Sequence, residues 1–581
     1  MIFNTRLNLF LIFIVSIWTG KSLGQNWRQE TYCNPLNLDY TYMIYNSHKD
    51  ISYRSGADPS VVEFRGEYYM FVTRSHGYWH SSDLLHWKFI KPESWYFEGE
   101  NAPTAFNYKD SVLYFTGHPS GNMNILYTDN PKKGDWKGTA TILYDLQDPN
   151  LFIDDDGQAY MFWGSSNILP IRGKKLNKDK RFIPSDEIHE LFKSDPIKHG
   201  WERFGENHND TLNPGYIEGP WLTKYNNCYY MQYGAPGTEF NVYGDGVYVA
   251  GHPLGPYHYQ VHNPVFYKPG GFLNGSGHGS TVVGPGGNYW HFATMDYSVN
   301  MNWERRISML PTYFDKDGIM YSDSRFGDYP HYAPDVPHLN GQFRDWMLLS
   351  YNKPVSVSSI SPGDSKFKKE YLTDEIAKTS WLAASNGSKE WVQIDLKASS
   401  NINAVQINFA DYRSDMYGRY EGLKHRYIFE GSQDGKVWFI LIDKSSSLSD
   451  TPNDYVEITE PKLCRYVRFN NIEVPTPYLN ISEIRVFGTG QGEKPRKVQK
   501  VELDRKIDRR DILISWEHVN EAQGYHVLWG IASDKLYSAW LVYGQNQLEL
   551  KALNKDQSYY FSIEPFNENG VGVRSSVQYV N

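Results

Sequence analysis

Three acidic residues, Asp58, Asp148 and Glu218, recur in one kind of sequence setting, and they carry the clearest chemistry in this chain. Each opens a similar run. Ala57-Asp58-Pro59-Ser60 leads through Arg65-Gly66 into Tyr68-Tyr69-Met70-Phe71-Val72. Asp148-Pro149-Asn150-Leu151-Phe152 leads through Asp156-Gly157 into Ala159-Tyr160-Met161-Phe162-Trp163. Glu218-Gly219-Pro220-Trp221-Leu222 leads through Asn226-Asn227 into Tyr229-Tyr230-Met231-Gln232-Tyr233. Carboxylates held close together resist joint ionisation, so one stays charged while another keeps its proton. An acid and a base flanking one bond are what hydrolysis of a glycosidic bond requires. The acid protonates the leaving oxygen, and the base activates water or attacks directly. Taken singly, an Asp-Pro pair is equally a turn signal, and carboxylates at a channel mouth also bind cations. The joint recurrence of three favours acid–base work.

The elements that must position them follow from the repeat. Two further copies open on Asn101-Ala102-Pro103-Thr104 and Gly277-His278-Gly279-Ser280. Each copy is an approach segment, a short strand, a tight turn and a second strand, rich in β-branched and aromatic residues. Five such units predict a five-bladed β-propeller, with about four strands per blade. Aligned on the Pro, or on Gly279, one ring position reads Asp58, Ala102, Asp148, Gly219 and His278. Asp58, Asp148, Glu218 and His278 should therefore meet at one end of the central channel. Acids on different blades suit the wider separation of inverting hydrolysis, about 6.5–9.5 Å.

These motifs resemble glycoside hydrolase family 43 over roughly residues 26–335. The match rests on Ala57-Asp58-Pro59-Ser60, on Asp148-Pro149-Asn150-Leu151-Phe152 with Asp156-Gly157-Gln158-Ala159-Tyr160, and on Ile217-Glu218-Gly219-Pro220. The resemblance implies an inverting mechanism, with Asp58 as general base, Glu218 as general acid and Asp148 tuning and orienting Glu218. It implies no cofactor for the chemistry, and a water or a structural calcium on the axis near His278. It also implies an Arg in the last blade that reaches the carboxylates and the substrate. Glu304-Arg305-Arg306-Ile307 resembles that strand, and because strand neighbours face opposite ways, Arg305 is expected to point inward. Trp79, Trp163, Trp221 and Tyr233 are the aromatic candidates for the sugar site, with packing between blades as the competing role. One departure stands out: Asn101-Ala102-Pro103 occupies the place where many family members carry Trp-Ala-Pro.

The pattern changes near residue 340. Asn352-Lys353-Pro354-Val355, Trp391-Val392-Gln393-Ile394-Asp395 and Ile481-Ser482-Glu483-Ile484-Arg485 bound alternating strands that read as a β-sandwich. Residues 350–488 resemble a discoidin, or factor 5/8 type C, module, which implies carbohydrate binding or a spacer role. After a Gly/Pro-containing linker, residues 497–581 resemble a fibronectin type III domain, with Ile512-Leu513-Ile514-Ser515-Trp516 as the strand bearing the core Trp. A spacer or docking role is expected there. The fold class is thus all-β, a five-bladed propeller followed by two β-sandwiches.

Composition agrees. Aromatics form 16% of the chain, with 45 Tyr and 18 Trp, which suits sugar rings and β-rich packing alike. A net charge of −9 with no long charge run argues against nucleic acid as a partner. Arg6, the apolar run Leu7–Trp18 and Ser22-Leu23-Gly24 read as a signal peptide over 1–24, hence export to the periplasm or beyond the cell. No later run is long and apolar enough for a membrane span. Cys33, Cys228 and Cys464 form neither a metal spacing nor a disulfide framework. The function expected is removal of terminal pentose, α-L-arabinofuranose first, from a plant polysaccharide or oligosaccharide. A β-xylosidase, a galactan- or galactofuranoside-active enzyme and a non-catalytic sugar-binding propeller are the alternatives.

Overall fold

The computed structural model describes residues 30–43, 52–93, 97, 100–117, 122–144, 146–177, 182–335, 341–362 and 365–581. The predicted signal peptide lies outside them. Among the described residues there is no α-helix, only short 3-10 turns, and no helix is long and apolar enough to cross a membrane.

Five antiparallel sheets follow one another along the first half of the chain. Their innermost strands are Ser60–Phe64, Thr104–Tyr108, Asn150–Ile153, Ile217–Tyr225 and Asn274–Val283. Each pairs with a second strand across a tight turn. In two of these turns, Arg65-Gly66 and Asn226-Asn227, both central residues have positive φ, the backbone that matches the twist of flanking strands. Side chains stitch the inner strands into a closed ring. The amides of Ala105, Leu151 and Leu222 donate to Ser60 Oγ (2.9 Å), Thr104 Oγ1 (3.0 Å) and Asn150 Oδ1 (3.0 Å) of the preceding sheet. The Val61 amide donates to Ser280 Oγ (3.0 Å), joining the fifth sheet to the first. Between the fourth and fifth sheets Trp221 stands where the others carry an acceptor, and Gln232 Nε2 donates to Thr281 Oγ1 (2.8 Å) instead. In four of the five blades the residue after the Pro or Gly is therefore a polar stitch between blades.

The second half forms two sandwiches. In the first, the long strands Trp391–Phe409 and Asn453–Glu473 pair along their length, and bulges bend them around a core that includes Trp381, Phe429, Phe469 and Ile484. The second packs Val501–Arg505, Ile512–Trp516 and Gln547–Leu550 over a sheet centred on Gly524–Gly530 and Tyr559–Asn567. Its core is continuous with the propeller's, where Tyr267 meets Trp529 and Trp540 edge-on and the fully buried Trp201 packs on Tyr233. Burying a side chain of that size contributes on the order of 2–3 kcal/mol. Arg203 pairs with Asp511 across the same junction. The expected spacer is thus docked along its face to the propeller.

Candidate active site

The ring position predicted from the repeat has one backbone conformation in all five blades. Asp58, Ala102, Asp148, Gly219 and His278 have φ of 56°, 42°, 49°, 59° and 48°. Non-glycine residues seldom adopt this left-handed region, which costs energy and persists where surrounding bonds impose it. Those bonds repeat as well: the amides of Thr73, Gly117 and Gly164 donate to the carbonyls of Ala57, Asn101 and Gln147, the residues just before the ring position. Gly219 has a further reason to lack a side chain, because a Cβ there would lie 2.3 Å from the His278 ring.

The turned backbone aims Asp58, Asp148, Glu218 and His278 into one cavity of about 860 Å³. Glu218 enters differently from the two Asp residues. It lies within its strand, opposite Gly234 and beside Ser165, just before a register shift, whereas Asp58 and Asp148 precede theirs. Asp58 Oδ2 accepts from Thr73 Oγ1 (2.7 Å), and its amide donates to Thr294 Oγ1 (2.8 Å). His278 Nδ1 sits 3.4 Å from Asp58 Oδ1 and 3.9 Å from Asp148 Oδ2. Tyr243 donates its hydroxyl to Glu218 Oε1 (2.6 Å), and Ser165 Oγ approaches Glu218 Oε2 (3.4 Å). His278 is itself anchored through its amide to Asp245 Oδ1 (2.7 Å), and Asp245 pairs with the buried His291.

The carboxyls separate in protonation. Burial pushes Glu218 up to about 7, assisted by the Asp148 charge and opposed by His278 and the Tyr243 hydroxyl. Burial also raises Asp148, against the pull of His278 and together with the Asp58 charge. Burial acts on Asp58 in the same sense, but His278, Arg305 and the hydroxyls of Thr73 and Thr294 outweigh it and hold Asp58 below its ordinary value. His278 is raised: burial disfavours its charge, yet Asp58, Asp148 and Glu218 outweigh that. Near neutrality the cavity thus holds an ionised Asp58 and a Glu218 poised to give up a proton.

Arg305 and Arg306 face opposite ways. Arg305 lines the cavity, with Nη1 3.2 Å from Thr238 Oγ1 and 3.9 Å from Asp58 Oδ1. Arg306 points out of it, to the Arg54 carbonyl, Asn453 and Glu304.

The four aromatic candidates are not among the cavity-lining residues. Trp79 is buried in the first blade, its indole N–H donated to Asp39 Oδ1. Trp163 is buried among blade residues, with the Lys174 ammonium over its ring. Trp221 faces Gln232 within its sheet, and Tyr233 is fully buried with its hydroxyl on Glu202. All four sit within blade strands, where large side chains fill the space between sheets. Besides Phe115, which ends a strand of the second blade, the cavity takes its aromatics from connecting segments: Tyr53 before the first blade, Phe204 and Tyr216 from the segment between residues 164 and 217, and Trp303 before the last long strand. Trp303 is 42% exposed and lies beside the Arg305 guanidinium. Asn101, the departure noted above, accepts from Arg74 Nε (3.1 Å), so a polar pair forms that wall. Apart from Asn101 and Phe115, none of these residues belongs to the repeat, so periodicity could not single them out.

The calcium expected near His278 fits these donors poorly. Asp148, Glu218 and His278 can each bring one ligand atom within 4.8 Å of the others. Calcium takes six to eight oxygens, whereas this set offers one nitrogen and two carboxyls. The carboxylates around His278 raise its pKa, which disfavours the neutral imidazole that a metal needs.

Residues 49–320 match the profile described as glycosyl hydrolases family 43, and residues 355–484 match the F5/8 type C domain. A xylan 1,3-β-xylosidase from Vibrio is 25% identical over 267 residues, 40% of this chain and 46% of that protein. A β-D-galactofuranosidase from Aspergillus niger is 22% identical over 205 residues, 35% of this chain and 52% of that protein. The chain therefore spans about half the length of the curated relatives it matches. Among solved structures, a xylan β-1,4-xylosidase from Bacillus halodurans superposes with a TM-score of 0.40 at 14% identity, covering 94% of this chain and 100% of that one.

Proposed function

We propose, from the match of residues 49–320 to the profile of glycosyl hydrolases family 43, that the protein is an inverting glycosidase that removes terminal pentose, α-L-arabinofuranose first, from plant polysaccharide side chains. The observation that carries the reading is the split protonation of two carboxyls in one cavity, Asp58 held low and Glu218 raised to about 7. Asp58 draws a proton from a water molecule as that water attacks the anomeric carbon. Glu218 gives its proton to the departing glycosidic oxygen. Arg305, beside Asp58, binds the sugar. The His278 imidazolium balances the carboxylate charges, and no cofactor enters the chemistry.

The segment 164–217 supplies Ser165, Phe204 and Tyr216 to the cavity. It closes one side, which favours a pocket for a chain end over an open cleft. An α-L-arabinofuranoside and a β-D-galactofuranoside share their ring configuration and differ by one exocyclic CHOH. The named activity of the Aspergillus relative therefore supports a furanose-shaped site. The Vibrio relative favours β-xyloside as the second substrate to test. Export rests on the sequence 1–24, and the fibronectin type III reading of the last domain on its strand motifs.

The test is a panel of nitrophenyl α-L-arabinofuranoside, β-D-xyloside and β-D-galactofuranoside, assayed in EDTA. Fastest release is expected from the arabinofuranoside. Preference for another member would replace the sugar in this proposal, and binding without any release would establish the non-catalytic reading.

The Asp148 charge helps to raise Glu218, so its removal has a definite sign. Asp148→Asn is expected to move the alkaline limb of kcat/KM to lower pH, because Glu218 then loses its proton more readily. A pH–rate profile of the variant against wild type reads this directly. An unmoved limb would mean that Asp148 does not tune Glu218.

A further inference from the structure

One wall of the cavity is held from outside the propeller. Tyr53, on that wall, is followed by Arg54, whose side chain is fully buried and turns toward the second domain. There Arg54 Nε donates to Asp411 Oδ2 (2.9 Å), and Nη1 and Nη2 donate to the two oxygens of Asp450 (2.6 and 2.9 Å). Its guanidinium also covers the Tyr42 ring at 4.4 Å. The backbone joins in. Tyr42 and Gly418 exchange both amide–carbonyl bonds (3.0 and 2.8 Å), and the Ser52 amide donates to the Ser414 carbonyl (3.0 Å).

A second route reaches deeper. Arg306 Nη1 donates to the Arg54 carbonyl (2.7 Å), and Arg306 Nε donates to Asn453 Oδ1 of the second domain (3.0 Å). Gly56 donates its amide to the Arg305 carbonyl (3.0 Å), so residues 54–56 and 305–306 form one bonded unit. Arg305 and Tyr53 project from that unit into the cavity.

A tethered module would meet the propeller through a polar, movable junction. Here a guanidinium is clamped on two carboxylates away from water. The bidentate pair with Asp450 fixes orientation, and its loss leaves Arg54 only the single bond to Asp411. We infer that the second domain is a working part of the catalytic cavity, with Asp411 and Asp450 as positioning residues that act through Arg54 on Tyr53 and Arg305.

The inference rests on the glycosidase reading for its readout. Wild-type turnover tests that reading, while the ratio of variant to wild type tests this one. Asp411→Asn and Asp450→Asn keep side-chain size and remove charge. Asp450→Glu serves as a milder variant that keeps the charge and shifts the geometry. Each is assayed at a temperature where its melting curve shows it folded.

The expected result is a fall in kcat/KM of about tenfold for the Asn variants, carried mainly by KM, because a displaced wall weakens binding in ground and transition states alike. Asp450→Glu should fall between them and wild type. Tyr53→Ala should raise KM in the wild type, yet add less than twofold in the Asp450→Asn background, since both changes disturb one wall. A purely structural role predicts additive losses. Unchanged KM in the Asn variants, or full additivity with Tyr53→Ala, would overturn the proposal.

Discussion

Glu218→Gln is expected to lower kcat by about 10²–10⁴-fold on glycosides with poor leaving groups, the usual scale for a general acid. The amide keeps the shape of the side chain and can still accept from the Tyr243 hydroxyl, now 2.6 Å from Glu218 Oε1, so the cavity should keep its form and sugar affinity should change little. A dinitrophenyl glycoside departs without a proton, so its loss should be far smaller. The pH profile should change in parallel. Wild type carries Glu218 raised to about 7 by burial and by Asp148, so the acid is protonated below that pH and loses its proton above it. kcat/KM therefore falls on the alkaline side in wild type, and that limb should vanish in the variant. Steady-state rates on two leaving groups decide the matter. Equal losses on both would remove Glu218 from the role of acid.

Asp58→Asn is expected to cost a similar about 10²–10⁴-fold, but on every leaving group, because water must be activated whatever departs. The position suits the substitution structurally. Asp58 has φ of 56°, a conformation that Asn tolerates better than most residues, and the amide can still bond the Thr73 hydroxyl. Loss of activity with an unchanged melting temperature is thus the expected pairing. His278 and Arg305 hold Asp58 below the ordinary carboxyl range, so the acid limb of wild type should lie below where a free Asp titrates. Proton NMR of the first product completes the test: an inverted anomer agrees with water activated by Asp58, and a retained one rules out the proposed mechanism.

The comparison of these residues with the aromatics shows where sequence reasoning has its reach. Asp58, Asp148 and His278 are spaced by a repeat, and a repeat copies backbone geometry, so residues at one repeat position share one conformation and one place on the ring. Glu218, one position earlier, was readable as an exception for the same reason, and the register shift before Trp221 is its structural counterpart. The resemblance called for an Arg in the last blade, and strand alternation left only one of Arg305 and Arg306 to face inward. Trp79, Trp163, Trp221 and Tyr233 did not follow, because a large aromatic in a strand reads the same whether it faces a cavity or a neighbouring sheet. Tyr53, Tyr216 and Trp303 lie in segments with no period at all.

The sequence by itself determined the all-β architecture, the order of its domains, the five units of the ring and the meeting of three acids with His278 at its centre. Those properties follow from local pattern: turns, alternation and a repeated approach segment. Only the tertiary structure decided which aromatics line the cavity, how each carboxyl is biased, and that the second domain grips the cavity wall. Each of these depends on groups distant in the chain. The shift of Asp58 needs His278 and Arg305 beside it, and Arg54 finds Asp411 and Asp450 only once two domains have packed together.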